Sequence, residues 1–336
     1  MRIMKNLLLL WLMMLPLMAR ADLDAALEAF DAGDYPLALE RFSLLADAGD
    51  TIAQFNLGLM YLRGLGTEPD PQRALLLYRQ SAQQGVPEAA YYVGNLFETG
   101  TGTEIDLEQA IYWYLEAARQ DYAPAQYALA NIYVRGSARD RDYSRAREWY
   151  EMAAQNGHSA AQFNLGVIYA EGLGTERDFA KAFDWFFTAA NQNNAEAQHS
   201  LGSMYLAGQG VQQDYAEALQ WFTSAAGLGL AQAQTSLGMM YAAGQGTGQD
   251  YQQAQVWFLR AAENGDTTSQ VMLGNFYLSG YGVAIDPVEA LKWYRIAAAR
   301  GHPLATRLVR QTSVELSAEQ LSRAENLASD WLESRN

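Results

Sequence analysis

The stretch 194–229, NAEAQHSLGSMYLAGQGVQQDYAEALQWFTSAAGLG, has six relatives between Asp50 and Gly301, each found by shifting the chain against itself in steps of 36 residues. One column of this internal alignment holds Gly58, Gly94, Ala130, Gly166, Gly202, Gly238 and Gly274. Another holds Ala74, Ala110, Ala146, Ala182, Ala218, Ala254 and Ala290. A large column runs Leu77, Trp113, Trp149, Trp185, Trp221, Trp257 and Trp293, and the next position holds Tyr78, Tyr114, Tyr150, Phe186, Phe222, Phe258 and Tyr294. Within 194–229, Ala197, Leu201, Gly202 and Tyr205 share one helical face, and Ala218, Trp221, Phe222 and Ala225 share another. Each unit is therefore predicted to be a helical hairpin. Its small column lets the second helix come close, and its aromatic pair fills the gap to the next hairpin. One hairpin cannot bury its apolar face alone, so the units must stack.

The connections agree. Gly64, Gly100, Gly136, Gly172, Gly208, Gly244 and Gly280 recur where a first helix would end, with a second glycine two residues on at 66, 102, 174, 210, 246 and 282. Glycine there can close a helix in a left-handed conformation. Four residues later stand Asp70, Asp106, Asp142, Asp178, Asp214, Asp250 and Asp286, with Pro71 and Pro287 next in line. That is the pattern of an N-cap followed by a first helical turn. Calcium binding is the functional alternative, but one carboxylate per loop supplies too few hard oxygen ligands.

Segments such as AQFNLGVIYAEGLGTERDFAKAFDWFFTAANQN (161–193) resemble Sel-one-like repeats (SLR), relatives of tetratricopeptide repeats with a longer Gly-x-Gly loop. The resemblance covers 50–301 strongly and 22–49 more weakly. It implies an all-α fold, a right-handed superhelical solenoid of antiparallel helix pairs that serves as a scaffold for other macromolecules. Ala130 and Ala138 depart from the glycine pattern in the third unit.

Residues 1–21 read as a signal peptide. Arg2 and Lys5 precede the apolar run Leu7 to Met18, and Ala19-Arg20-Ala21 has the small-x-small form of a cleavage site. A membrane anchor is the alternative, but the run is short against the ~20 residues that span a bilayer. An exported, periplasmic protein is expected, with secretion as the second choice and no membrane insertion once the leader is removed. The chain has no cysteine, so stacking rather than disulfides must supply its stability. Some exported SLR proteins are cysteine-rich, and the β-lactam-related activity associated with that branch does not carry over here.

The full chain has a formal charge of −15. Without residues 1–21 it keeps 20 Lys+Arg against 38 Asp+Glu, or −18. Such a body repels nucleic acid and anionic lipid, and the acidity also serves solubility. Residues 22–49 read as an N-terminal capping repeat, because Asp34, Ala38, Phe42 and Ala46 precede Asp70, Ala74, Tyr78 and Ala82 by one period. Residues 302–336 read as C-terminal capping helices. His302 to Arg310 can form a further first helix, although Arg310 stands in the small column. A last helix follows, with Ser317 and Gln320 placed as a capping box and Leu321, Ala324, Ala328 and Trp331 on one face. That last helix caps the array or serves as a docking element.

No catalytic constellation emerges. His158 and His302 occupy equivalent turns four repeats apart, and His199 lies in another column. With no cysteine and no clustered histidine, no transition-metal ligand set is present, and neither a metal nor a cofactor is expected. There is no HExxH, no Gly-x-Ser-x-Gly and no phosphate loop ahead of a lysine. Gly244-x-Gly246-x-Gly248 follows no strand and is a repeat loop.

Binding residues are therefore sought on the first helices, 51–63, 87–99, 123–135, 159–171, 195–207, 231–243 and 267–279, which line the concave face in tetratricopeptide-like stacks. One column there reads Phe55, Tyr91, Tyr127, Phe163, His199, Thr235 and Val271. One turn on stand Leu59, Asn95, Asn131, Val167, Ser203, Met239 and Asn275. Phe55, Leu59, Tyr91, Asn95, Tyr127, Asn131, Phe163 and His199 are the candidate partner-binding residues, rings giving contact area and amides pairing backbone groups. Packing among first helices is the competing reading of the rings. Arg63 and Arg135 are the only cations offered beside this face, so a lysine clamp for a C-terminal carboxylate is not expected. The reading is a monomeric, non-catalytic scaffold of the cell envelope that holds a protein or peptide. A solenoid binding glycan or exopolysaccharide is the alternative, and a hydrolase the most remote.

Overall fold

The computed structural model describes residues 20–136 and 141–335. Most of the expected leader and the expected loop departure at Ala138 lie outside these residues. Among the described residues all regular structure is helical. The first helices of the repeats are α3 (Thr51–Arg63), α5 (Pro87–Thr99), α7 (Ala123–Arg135), α9 (Ser159–Glu171), α11 (Ala195–Ala207), α13 (Ala231–Ala243) and α15 (Thr267–Ser279). The second helices are α4 (Pro71–Gln83), α6 (Leu107–Ala118), α8 (Tyr143–Gln155), α10 (Phe179–Ala190), α12 (Tyr215–Gly227), α14 (Tyr251–Glu263) and α16 (Pro287–Ala299). Before them come α1 (20–31) and α2 (Tyr35–Asp47), and after them α17 (Ala305–Ser313) and α18 (Ala318–Glu333). Helix α1 runs across the expected cleavage position after Ala21. The chain divides into two compact units, the boundary falling between Ala161 and Gln162.

The expected punctuation forms these helices. Gly64, Gly100, Gly136, Gly208, Gly244 and Gly280 close their first helices in the left-handed conformation. The recurring aspartates are N-caps: the side chain of Asp106 accepts from Gln109 N at 3.0 Å, and that of Asp142 from Arg145 N at 3.0 Å. At Asp178 the N–H donated by Lys181 holds the carboxyl below its ordinary range.

Paired helices are antiparallel. The Ser81 hydroxyl at the end of α4 donates to Thr51 O at the start of α3, 2.9 Å away. Inside each hairpin the small column meets the ring column. A Cβ on Gly94 would stand 2.7 Å from a Tyr114 ring carbon, and one on Gly202 2.7 Å from Phe222. These rings are the most deeply buried large side chains. The ring thus fills its own hairpin, where the sequence reading placed both aromatics between hairpins. The tryptophan column takes the inter-hairpin role, Trp221 lying edge-on to Phe187 at 6.1 Å and Trp257 packing on the cluster containing Ala218 and Phe222. Some of the buried rings share it, Tyr78 stacking on Tyr92 at 5.1 Å and Phe258 meeting Phe276 edge-on at 5.3 Å. The column residues at these positions, from Leu77 to Trp293, are buried or half-buried.

Adjacent repeats are also joined by backbone. The second loop glycine has φ of +72° at both Gly66 and Gly102, and a Cβ there would press on the backbone of Tyr35 and Pro71, each the first residue of the preceding second helix. A buried glutamine column makes a further link. Gln54 Nε2 donates to Ala46 O (3.3 Å) in the preceding pair, and its Oε1 accepts from Gln84 Nε2 (2.9 Å). Gln126 repeats this with Ala118 O (3.2 Å) and Asn156 Nδ2 (3.0 Å), as does Gln234 with Ala226 O (3.3 Å) and Asn264 Nδ2 (3.1 Å).

At the C-terminus α17 starts at Ala305, three residues later than expected. Pro303 lies within a turn in which Leu304 N donates to His302 Nδ1 (3.3 Å). Helix α18 begins with the expected capping box, Ser317 Oγ accepting from Gln320 N and Gln320 Oε1 from Ser317 N. Its apolar stripe packs on α16, Ala324 with Val288 and Leu291, and Trp331 5.7 Å from Trp293.

Candidate partner-binding face

The candidate residues all lie on first helices, and their rings are half-buried. In the first unit α3, α5 and α7 are neighbours. Phe55 on α3 meets Tyr92 on α5 edge-on at 5.6 Å, and Arg135 on α7 donates to Glu98 on α5 at 2.9 Å.

Each candidate ring leans on the ring that fills its own hairpin: Phe55 on Tyr78 (5.5 Å), Tyr91 on Tyr114 (5.7 Å) and Tyr127 on Tyr150 (5.8 Å). Tyr91 also touches Tyr122, and one face of Tyr127 is stacked on His158 at 4.5 Å. In the second unit Phe163 leans on Phe186 (5.7 Å) and His199 on Phe222 (5.2 Å), with His199 Nε2 3.1 Å from Ser236 Oγ. Packing is thus part of what these rings do. Their partners are second-helix rings of the same hairpin, rather than only the neighbouring first helices. Burial raises the Tyr91 hydroxyl pKa and lowers those of His158 and His199, so both imidazoles favour the neutral form.

The amides have partners as well. Tyr150 OH donates to Asn131 Oδ1 at 2.6 Å, and Tyr294 OH to Asn275 Oδ1 at 2.7 Å. Tyr114 OH donates to Glu98 Oε2 at 2.7 Å, and the Asn95 side chain hydrogen-bonds the same hydroxyl. Where the second-helix ring is phenylalanine, at 186, 222 and 258, the matching position is Val167, Ser203 or Met239. Asparagine accompanies tyrosine in three hairpins of the seven, and the exception is informative: Leu59 faces Tyr78, and the buried Tyr78 hydroxyl has no hydrogen-bond partner.

Glu98 and the glutamine column are not among the residues singled out from sequence. Glu98 is largely buried and receives both Tyr114 and Arg135. No column marks it, since Leu62 and Val134 stand at equivalent positions. The glutamines do recur at the 36-residue spacing, at 54, 126, 162, 198, 234 and 270. Among the described residues no group of three or more His, Asp or Glu side chains is placed to hold a metal ion, and no helix is long and apolar enough to cross a membrane.

Stacked helix pairs with Gly-x-Gly connections and a row of half-buried rings define a repeat scaffold of the tetratricopeptide-like class. The Sel1 repeat family model matches seven consecutive segments, 51–86, 87–122, 123–158, 159–194, 195–230, 231–266 and 267–302, and the chain belongs to that family. The structure of c5321, a protective antigen present in uropathogenic Escherichia coli strains and displaying an SLR fold, is similar at 33% identity and a TM-score of 0.82, over 89% of this chain and 64% of that one. This chain therefore spans somewhat under two thirds of that antigen. A Sel1 repeat protein from Oxalobacter formigenes is 30% identical with a TM-score of 0.68, over 90% of both chains. No curated protein matches. Sel1 repeat arrays are in general non-catalytic scaffolds that bind other proteins.

Proposed function

We propose that this protein is a non-catalytic scaffold of the cell envelope that holds an extended peptide or loop of a partner protein across α3, α5 and α7. The observation that carries the reading is the row Phe55, Tyr91 and Tyr127, anchored on one side by buried rings yet still partly open to solvent. Rings fixed in this way lose little conformational entropy on binding and offer large contact areas. Asn131 adds amide N–H donors for a partner's carbonyls, because its oxygen is already taken by Tyr150. A partner held against α5 also meets the Glu98–Arg135 pair. The covered face of Tyr127 makes a poorer platform for a sugar ring, which favours protein over glycan. Export rests on the leader-like residues 1–21.

Photoreactive benzoylphenylalanine placed at Tyr91 tests the site in native cells, with the exposed Tyr112 of α6 as control. A protein adduct from position 91 and none from 112, weakened by Asn131→Asp at unchanged melting temperature, is expected. Asn131→Asp keeps an acceptor for Tyr150 and replaces the two N–H donors by a carboxylate, which repels a partner's carbonyls. Adducts from 112 alone, or a carbohydrate adduct from 91, would overturn the proposal.

A further inference from the structure

The last helix pair departs from the repeat in a way that opens a cavity. In the repeats a small residue sits where the second-helix ring docks, but one period after Gly274 the position is Arg310. One period after Tyr294 it is Asp330, so neither the glycine nor the ring is present. Helices α17 and α18 each pack on α16, and between the three lies a space of about 350 Å³. That is within the range of small-ligand cavities.

Its lining has two characters. Ala298, Val309, Ala328 and Leu332 make an apolar wall. Arg295, Arg310, Thr306 and Ser329 supply donors, and Glu325 forms an ion pair with Arg295. The Arg295 Nε–H is buried without a partner, and Arg310 has no ion-pair partner among the described residues. Two guanidinium groups against one carboxylate leave a single positive charge. The cations belong to the lining itself: over residues 300–336 five arginines are balanced by five acids. Within the cavity the surplus guanidinium favours a monoanion, and a guanidinium binds a carboxylate with matched donor geometry. The single net charge fits a carboxylate better than a dianionic phosphate.

We propose that this cavity binds a carboxylate carrying a short aliphatic group, supplied either by a free branched-chain acid or by the C-terminal residue of a peptide. Carboxylate oxygens meet Arg310, and the aliphatic group lies on Val309, Ala328 and Leu332. Titration calorimetry on the full chain tests this with isovalerate, isovaleramide, N-acetyl-glycyl-leucine and its amide at millimolar concentrations. At least one acid should bind, with its amide about tenfold weaker or worse, the expected loss for one charge-assisted hydrogen bond. Isovalerate binding points to a free acid, and binding of the leucyl acid alone to a peptide terminus. Arg310→Ala should weaken the bound acid about tenfold at unchanged circular dichroism, while Arg310→Lys, which keeps the charge but not the planar fork, should fall between the wild type and the alanine variant. Thr306→Trp, at the exposed rim with both cations intact, should block entry. No heat with any probe, equal binding of acid and amide, or indifference to Arg310→Ala would each overturn the assignment.

Discussion

The tyrosine hydroxyls provide a controlled comparison, because the same ring sits in the same hairpin position with and without an acceptor. Tyr150 gives its proton to Asn131 at 2.6 Å, whereas Tyr78, facing Leu59, buries its hydroxyl with no partner. Leaving a buried hydroxyl unsatisfied costs roughly 1–3 kcal/mol, and a made hydrogen bond contributes about 1 kcal/mol net. Tyr78→Phe should therefore stabilise the protein by about 1 kcal/mol, and Tyr150→Phe should destabilise it by about 1 kcal/mol. Urea midpoints read both effects. Equal destabilisation by the two substitutions would mean that Tyr78 has an acceptor after all. The pairing is legible in the sequence once the columns 59–275 and 78–294 are set side by side. It is invisible in either alone, since the bond joins residues 19 apart on different helices. For that reason the sequence reading treats Asn95 and Asn131 as free amides, although both already hold a tyrosine.

The seven first helices are read from the sequence residue for residue, because caps and glycines recur at a fixed spacing and each has one local conformational reason. Which aromatic column faces inward is not. The tryptophan and the tyrosine or phenylalanine columns are adjacent, and both are large and apolar. Only the approach of the second helix to Gly94 or Gly202 decides between them. Loops differ in the same sense. In Gly244-x-Gly246-x-Gly248 the three glycines look alike, yet their surroundings do not. Gly246 has φ +71°, and a Cβ on it would stand 2.8 Å from the Tyr215 carbonyl carbon. Gly248 has nothing within 4 Å and no left-handed backbone. Gly246→Ala combines the cost of a left-handed alanine with a backbone clash between successive repeats, and should cost about 2–4 kcal/mol. Gly248→Ala should be neutral or stabilise by about 0.5 kcal/mol through the unfolded chain. Thermal unfolding of the two variants checks the difference. A nucleotide-binding loop would instead tolerate neither without loss of ligand, so matched stability would undermine the repeat-loop account.

For the molecule as a whole, stability in a repeat array is approximately the sum of each hairpin's own free energy and the terms that couple neighbours. The glutamine column is such a coupling, and it is incomplete. Gln54, Gln126 and Gln234 each donate to the preceding pair and accept from a side-chain amide at the end of their own second helix. Gln198 donates to Ala190 O at 3.2 Å, but its buried Oε1 has no partner, because Leu228 stands where Gln84, Asn156 and Asn264 stand in the other repeats. Leu228 is 52% exposed, so its side chain contributes little burial. Leu228→Asn should supply the missing donor and remove an exposed apolar group, stabilising the protein by about 1 kcal/mol. Since the new bond joins an element already tied to the preceding pair, the gain should appear as a higher urea midpoint with a transition at least as steep. A double-mutant cycle separates this from helix propensity or solubility: in a Gln198→Ala background the gain from Leu228→Asn should vanish. Should it persist there, the asparagine acts without bonding Gln198, and the missing-donor account of this repeat fails.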